Sequence, residues 1–514
     1  MSDRPNILFI TSDQQRADCY GFAGRKVKTP HLDALAAAGT HFSSCITPNL
    51  VCQPSRASIL TGQLPLTHGV VDNGIDLRPP VGERSFASAL ETNGYQSAFI
   101  GKAHFATNSN FKPTGTPECK ESSKEYGANW SGPYMGFSHV ELMVIGHWYA
   151  LHGPTLPPSG QHFERWVFEQ VANPEVFELW AQATRAGNGA AQTWSSALPV
   201  AWHGSTWLGD RAISYIKERD RDRPFCAWVS FPDPHHPFDC PEPWSTLHHP
   251  DEVDLPIEGT KDLHRRPWWH RASLENEPDL ADPKQRTFRA KLSRSEDQSE
   301  AQLREMTANY FGMISLIDHN VGRILAELEV QGLADNTIVV YSTDHGDLLG
   351  DHGLYLKGPT PYEALLRVGL IARGPGIPAG RVVADPVSTL DLAATFCDYG
   401  KTELDEAAQS TSLRDLMEGK AGASRDMAYS EWNVNASRCG VPLDLRTVRT
   451  RDAKLTIELQ SGAGELYNLV DDPHEMDNLY DDAGRSSLRK ELTDMIQARP
   501  GAICTDIDEP VGMA

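Results

Sequence analysis

Short apolar runs alternate with helix-period segments over residues 1–400. Residues 6–12 (NILFITS), 97–100 (SAFI), 225–231 (FCAWVSF) and 337–342 (TIVVYS) carry consecutive apolar positions rather than every second one. That pattern predicts strands covered on both faces. Residues 30–38 (PHLDALAAA) predict a helix with Thr29 as N-cap, Pro30 at the first helical position and Gly39 at its end. A long amphipathic helix is predicted over residues 300–331, where Tyr310, Met313, Ile314, Ile317, Val321, Ile324 and Leu325 fall near helical spacing. Alternation of this kind predicts an α/β fold: a large mixed, mostly parallel sheet sandwiched by helices.

The pattern changes towards the C-terminus. Residues 446–459 and 464–470 predict short antiparallel strands with a turn at Ser461-Gly462, and a helix follows over 485–497. The expected organisation is a main domain over 1–400 and a smaller α+β domain over 401–514. Residues 105–210 and 235–300 interrupt the alternation and read as insertions. Trp130, Trp148, Trp166, Trp180, Trp194, Trp202 and Trp207 crowd the first of them and are expected mainly to fill its interior. The runs His248-His249 and Arg265-Arg266-Pro267-Trp268-Trp269 read as surface or lid features. The tail CTDIDEPVGMA is too polar for a core element.

In mostly parallel sheets, ligands gather beyond the carboxyl ends of the strands. Asp13-Gln14, Lys102 with His104, His235-His236 and Asp344-His345 each follow a predicted strand. One such group is an ordinary polar loop, whereas four together point to a site. Asp13, Gln14 and Asp344 offer oxygen ligands suited to Ca²⁺, Mg²⁺ or Mn²⁺. The imidazole of His345 shifts the preference towards Mn²⁺, Fe²⁺ or Zn²⁺. Helix capping is the competing role for Asp13 and Asp344.

Composition narrows the function classes. A chain of 514 residues exceeds one typical core. Its net charge of −22 argues against nucleic acid as a partner, because a phosphate backbone needs a basic face. A small pocket can still be locally positive. No segment approaches the ~20 apolar residues of a membrane span, so no membrane partner is expected. No apolar leader is recognisable, and a cytoplasmic location is expected. The nine cysteines form no C-x-x-C pair and read as reduced thiols. There is no P-loop, H-E-x-x-H or G-x-S-x-G.

Cys52, in VCQPSRASILTG, would by itself be a small buried residue. Its setting is more specific. Cys52-x-Pro54-Ser55-Arg56 followed by Leu60-Thr61-Gly62 resembles the signature of the sulfatases, in the alkaline phosphatase superfamily, and the resemblance runs nearly end to end. RPNILFITSDQ, Gly101-Lys102-x-His104, Pro234-His235-x-Pro237, TDHGD with Gly350-Asp351-His352-Gly353, and Lys357 fit that family in order. So, more weakly, do Ser388-Thr389-Leu390-Asp391-Leu392 and Asp472-Pro473-x-Glu475-x-x-Asn478-Leu479.

The resemblance implies an alkaline phosphatase-like fold and a metal-dependent sulfuric ester hydrolase acting on a small-molecule sulfate ester. It implies that a maturation enzyme oxidises Cys52 to Cα-formylglycine, whose hydrate attacks sulfur to give a covalent sulfo-enzyme. Asp13, Gln14, Asp344 and His345 would hold one divalent ion, Ca²⁺ or Mn²⁺, with position 52 completing the set. Arg56 would orient the nucleophile, and Lys102 and Lys357 would bind the sulfate oxygens. His104 would be the base that breaks the sulfo-enzyme. His235, alone or with Lys357, would be the acid for the leaving group, with His236 as the competing assignment. Asn73 would touch substrate, against the plainer reading of a turn at Asn73-Gly74. Association into a homo-oligomer is a family-level expectation.

Gln14 and His345 resemble the choline sulfatase and phosphonate monoester hydrolase branch, which makes phosphonate monoester or phosphodiester hydrolysis the alternative. Lys102 and His104 keep the sulfatase pair and favour the sulfate ester. A non-catalytic binding protein is disfavoured, because no position of the nucleophile, cation and ligand set is lost.

Overall fold

The computed structural model describes residues 4–144, 161–170, 179, 182–185, 187–257, 259–421 and 424–513. Trp148 and Trp180 lie outside them. The four apolar runs form four neighbouring strands of a nine-stranded sheet. In spatial order its strands are Arg381–Val383, Thr40–Ile46, Arg367–Arg373, Thr337–Thr343, Asn6–Ser12, Phe225–Ser230, Gln96–Gly101 and His139–Leu142, with Val387–Ser388 also pairing Thr40–Ile46. The pairs are parallel except that Arg367–Arg373 runs antiparallel to both its neighbours. The fold is therefore α/β with a mixed, mostly parallel sheet.

Consecutive apolar residues in these strands are explained by cover on both faces. On one face Phe9, Phe99, Trp228 and Val340 meet Phe86 and Phe396 from the helices Phe86–Thr92 and Leu392–Gly400. On the other, Leu8, Ile10, Ile100 and Val229 meet Leu32, Leu208, Ile317 and Ile324 from the helices Pro30–Ala37, Gly204–Glu218 and Glu300–Val330. Burying one such side chain contributes roughly 1.5–3 kcal/mol, so this double cover fixes the sheet that carries the site. The long helix opens with a reciprocal capping box between Ser299 and Gln302. Thr29 behaves differently from expectation. It precedes its helix, but its hydroxyl donates to Asp33 and accepts from the Gly21 N–H instead of capping the first turn. No helix among the described residues is long and apolar enough to cross a membrane.

A second, four-stranded antiparallel sheet follows, in the order Met427–Val434, Leu443–Thr450, Ala453–Glu458 and Gly464–Asn468. The segment 446–459 is thus two strands folded on each other at Arg451-Asp452, and Met427–Val434 is a strand the sequence pattern did not predict. Its apolar residues do not alternate, because both faces of this sheet are covered. Leu492 and Ile496 of the helix Ser486–Gln497 pack on Val448, Leu455 and Leu466. On the opposite side Trp269 and Tyr362 meet Trp432 and Leu445.

That packing corrects the reading of the basic and histidine runs. Trp269 is fully buried and donates to the Pro359 carbonyl, while Trp268 is exposed. Arg266 is buried against Asp262 and Tyr467, and His248 against Ser315. Of the clustered tryptophans, Trp207 is buried, and Trp130, Trp166 and Trp202 pack partly buried against the two main cores.

Several buried histidines carry a stability consequence. Burial lowers His68 to about 3 and His162, His248 and His352 to about 4 each. A histidine whose folded value lies below its unfolded value of ~6.5 binds its proton more readily in the unfolded chain. The stability it contributes is complete above that unfolded value and is lost as pH falls from there towards the folded one. His68 alone is expected to cost the fold ~2 kcal/mol by pH 5. Urea unfolding at pH 7.5 and pH 5 checks this: the midpoint should drop on acidification, and His68→Gln should flatten the dependence. Equal midpoints for the parent protein at the two pH values would count against it.

Candidate active site

The carboxyl ends of four adjacent strands deliver the predicted residues to one place. Asn6–Ser12 leads to Asp13 and Gln14, Thr337–Thr343 to Asp344 and His345, Gln96–Gly101 to Lys102 and His104, and Phe225–Ser230 to His235 and His236. Cys52 follows the strand Thr40–Ile46, which Arg367–Arg373 separates from those four. It is the first residue of the helix Cys52–Thr61, all of whose residues are buried. Pro54 is tolerated in the first turn because no intrahelical acceptor exists there for its missing N–H. Gly62, at φ +69°, closes the helix in the left-handed region and donates to the Ser58 carbonyl.

Cys52 Sγ lies 3.1 Å from His345 Nε2, 3.0 Å from Lys357 Nζ and 3.6 Å from Asp13 Oδ1. Asp13, Cys52, Asp344 and His345, all buried, offer ligand atoms within 4.8 Å of one another. Gln14 joins them through strain: it holds φ +67°, and its N–H donates to Asp344 Oδ1 at 3.0 Å. Its amide nitrogen is engaged by Asp347 and by His236 Nδ1 at 3.2 Å. Its amide oxygen is buried without a hydrogen-bond partner. An orphaned buried acceptor costs about 1–3 kcal/mol. A divalent cation among these oxygen and imidazole donors would satisfy it, so the residues fit such an ion.

Arg56 organises the carboxylates from behind. Its Nε donates to Asp344 Oδ2 at 2.8 Å and its Nη2 to Asp13 Oδ2 at 3.1 Å. Its Nη1 donates to the Lys102 carbonyl at 2.7 Å and to Ser230 Oγ at 2.8 Å. Lys102 Nζ reaches Asp13 Oδ2 at 2.5 Å. Ser55 and Thr47 hydroxyls fix the Asp344 carbonyl at 2.7 and 2.6 Å.

His235 and His236 separate cleanly. Lys357 Nζ sits 2.9 Å from His235 Nε2, while the His235 Nδ1–H donates to the His236 carbonyl. With Nδ1 carrying the proton, Nε2 accepts from the lysine. His236 turns to Gln14. His104, at φ +52°, is held by its backbone N–H on Glu118, and its ring interacts with the Cys52 thiol. Asn73 does lie in a turn with Gly74, and its Oδ1 accepts the Gln53 N–H at 3.0 Å, beside Cys52.

The electrostatics favour an anion at position 52. Burial and the Asp13 carboxylate push the Cys52 thiol up, but Lys357, Lys102 and His345 outweigh them and hold it well below the ordinary thiol value. Burial raises Asp13, yet Lys102, Arg56, Lys357 and His345 bring it well below the usual carboxylate range. Burial lowers Lys102, and Asp13 and Cys52 more than restore it. Burial, with Lys357 and His236, drives His235 well down.

Residues outside the predicted set complete the frame. Asp347, raised to about 6 by burial, orients the Gln14 amide. Glu118 accepts the backbone N–H groups of His104, Phe105 and Ala106. Asp347 stands within TDHGD and could have been found there, whereas Glu118 lies in an insertion without a pattern.

The Sulfatase family model matches residues 5–401. The chain belongs to the sulfatase family. A second family model, N-sulphoglucosamine sulphohydrolase, C-terminal, matches residues 350–500. The chain is 27% identical over 485 residues to an arylsulfatase of Clostridium perfringens, covering 93% of this chain and 90% of that one. It is 26% identical over 487 residues to a choline-sulfatase of Rhizobium meliloti, covering 93% and 82%. The crystal structure of a phosphonate monoester hydrolase of Agrobacterium radiobacter superposes with a TM-score of 0.74 at 26% identity, covering 96% of this chain and 95% of that one. This sulfatase is accordingly a sulfuric ester hydrolase of alkaline phosphatase-like fold.

Proposed function

We propose that this sulfatase hydrolyses aryl or alkyl sulfate monoesters, with Cys52 oxidised to Cα-formylglycine as its nucleophile and a covalent sulfo-enzyme between the two half-reactions. The observation that carries this reading is the ring of Lys357, Lys102 and His345 around a residue at the first position of a helix. A sulfate monoester brings negative charge to its reaction centre, and fixed cations there favour the transition state more than they would in water.

The chain's own residues divide the work. Arg56 holds Asp13 and Asp344 in place. Lys102 and Lys357 receive the sulfate oxygens. His104, beside Cys52, takes the proton that lets the second hydroxyl of the nucleophile expel sulfate. Lys357 and His235 act as a pair at the leaving oxygen: Nε2 of His235 accepts, so the proton delivered there comes from the lysine ammonium. Asn73, fixed beside Cys52, is the candidate contact to the organic part of the ester. Asp13, Gln14, Asp344 and His345, with position 52, would hold one divalent ion, Ca²⁺ or Mn²⁺, supplying charge that acidifies the nucleophile and stabilises developing negative charge. Because the whole helix Cys52–Thr61 is buried, a formylglycine-generating enzyme must reach Cys52, Pro54 and Arg56 before the chain folds.

Removal of the ion has an expected outcome. Dialysis against a chelator should abolish turnover and lower Tm, because an ion bound only by the folded state stabilises it. Adding Mn²⁺ or Ca²⁺ should restore both. An unchanged Tm and rate after exhaustive chelation would show that the protein works without the ion.

The second reading is a phosphonate monoester hydrolase or phosphodiesterase on the same framework. It is favoured by Gln14 and His345 in the ligand set and by the structural likeness to the Agrobacterium radiobacter enzyme. Retention of Lys102 and His104 supports the sulfate ester. Initial rates on matched aryl sulfate, alkyl sulfate, phosphonate monoester and phosphodiester substrates decide between them. The sulfate esters should lead in kcat/KM by about tenfold or more, some 1.4 kcal/mol at the transition state. A phosphonate ahead by that margin reverses the assignment.

A further inference from the structure

The helix that presents Cys52 begins without a side-chain cap of its own, since Val51 stands at the N-cap. Among the described residues, the side chain that meets its first-turn amides is borrowed. Asn73 Oδ1 accepts the Gln53 N–H at 3.0 Å. Gln53 returns the contact: its Oε1 accepts from the Gly74 N–H at 2.9 Å and its Nε2 donates to the Ile75 carbonyl at 2.7 Å. The loop 72–75 is therefore strapped to the residue next to the nucleophile, and Asp72, Asn73 and Gln53 are all buried.

Two other parts of the chain hold this loop from outside. Arg438 donates through Nε to both Asp72 oxygens, at 2.7 and 3.0 Å, and Asp72 Oδ1 in turn accepts the Asn73 N–H at 2.8 Å. The second holder is the polar tail. Val511 N–H donates to the Gly74 carbonyl at 2.7 Å, and the Val511 carbonyl accepts from Phe111 N–H at 2.8 Å. Gly74, at φ +101°, leaves its Cβ position only 2.4 Å from the Gly512 carbonyl oxygen, so the close approach of tail and loop requires glycine there.

The tail is anchored along its length. Cys504 N–H donates to the Leu66 carbonyl, Ile507 packs on Leu66, Val71 and Ile75, and Arg78 pairs with Asp506 and Asp508. Met513 N–H donates to the Ser109 carbonyl, and Arg289 donates to the Met513 carbonyl. A segment too polar for the core is thus laid down as a strap across the loop that caps the nucleophile helix.

We propose that the tail, through the bond from Val511 N–H to the Gly74 carbonyl, is a positioning element that sets Cys52 by way of Gly74, Asn73 and Gln53. It acts at second hand: no tail residue is required to touch substrate. A reacting group displaced by about 1 Å can lose on the order of 100-fold in rate, so an element this far from the reacting atoms can still govern kcat. For its kinetic readout the inference rests on the sulfate-ester reading above.

The test uses the full chain with two substitutions at one position. Val511→Pro removes the N–H that Gly74 accepts, whereas Val511→Ala keeps it and trims only a half-exposed side chain. Rates are expressed per converted Cys52, measured by peptide mass, so that maturation does not enter. Val511→Pro should lower kcat by about 10- to 100-fold, with a smaller rise in KM through the displaced Asn73. Amide exchange of the peptide 52–61 should rise while the core strands stay protected. Val511→Ala should match the parent in both. Wild-type kcat in Val511→Pro, with the tail itself shown by exchange to have come loose, would overturn the inference. If the parent protein turns over no sulfate ester, the functional reading fails and exchange at Gln53 alone decides: faster in Val511→Pro supports the positioning role, and unchanged exchange refutes it.

Discussion

Cys52→Ala is expected to abolish sulfate-ester turnover, with kcat falling by about 10⁴-fold or more, as loss of a covalent nucleophile does elsewhere. The folded protein should survive. Cys52 is a small group at the start of a helix whose other nine residues keep their packing, and its neighbours Lys357 and His345 keep partners in His235 and the Asp13 and Asp344 carboxylates. Cys52→Ser separates the chemistry further. A serine hydroxyl in the same cationic ring can attack sulfur once, but it lacks the second hydroxyl that would expel sulfate. A single turnover followed by a stalled, sulfated protein is the expected behaviour, read as a mass increase on the peptide 52–61. Steady turnover by either variant would place the nucleophile elsewhere.

Arg56 carries the second large effect. It is fully buried and forks between Asp13 Oδ2 and Asp344 Oδ2 while its remaining N–H groups hold the Lys102 carbonyl and Ser230. A lysine cannot reproduce that planar fork. Arg56→Lys is expected to lower kcat by about 10²- to 10³-fold and to weaken metal binding by about 10- to 100-fold, because the ligand carboxylates lose the partner that aims them. Arg56→Ala removes the charge as well, leaves two buried carboxylates under-compensated, and should cost ~3–5 kcal/mol of stability. Metal titration monitored by Tm separates the two results: the lysine variant should fold and bind poorly, and the alanine variant should unfold at lower denaturant. Wild-type metal affinity in Arg56→Lys would show that the fork is dispensable.

Much of the site was legible in the sequence because Asp13, Gln14, Lys102, His104, Asp344 and His345 sit one to three residues beyond buried strands, with His235 and His236 five and six beyond. NILFITS, SAFI, FCAWVSF and TIVVYS announced themselves by continuous apolar character, and Asp13, Lys102, His235 and Asp344 followed from their ends. What stayed hidden has a common physical cause. Arg367–Arg373 reads as apolar whichever way it runs, so its antiparallel direction is a fact of connection and not of composition. Met427–Val434 carries apolar residues for both faces and loses the alternation that would have marked it, while the turn at Arg451-Asp452 has none of the glycine or proline that announces a tight turn. Trp269 and Arg266 look like surface residues until the second sheet covers them. Glu118 acts through its carboxylate on three backbone N–H groups, and the tail holds the loop through backbone N–H and carbonyl groups of its own; their partners are main-chain groups, which no residue type betrays. The Pro-His-x-Pro frame pointed to His235, and only the geometry shows that its ring lies on Lys357 and that of His236 on Gln14.

If the working nucleophile is the oxidised form of Cys52, activity must follow the extent of its conversion. Preparations made with graded amounts of a formylglycine-generating enzyme would be assayed for sulfate release and, in parallel, for the mass of the peptide 52–61. Conversion replaces the thiol by an aldehyde, exchanging sulfur for oxygen with loss of two hydrogens. Specific activity should rise in proportion to the converted fraction and extrapolate to zero for wholly unconverted thiol. Substantial turnover by protein in which every Cys52 remains a thiol would show that the oxidised residue is not the nucleophile.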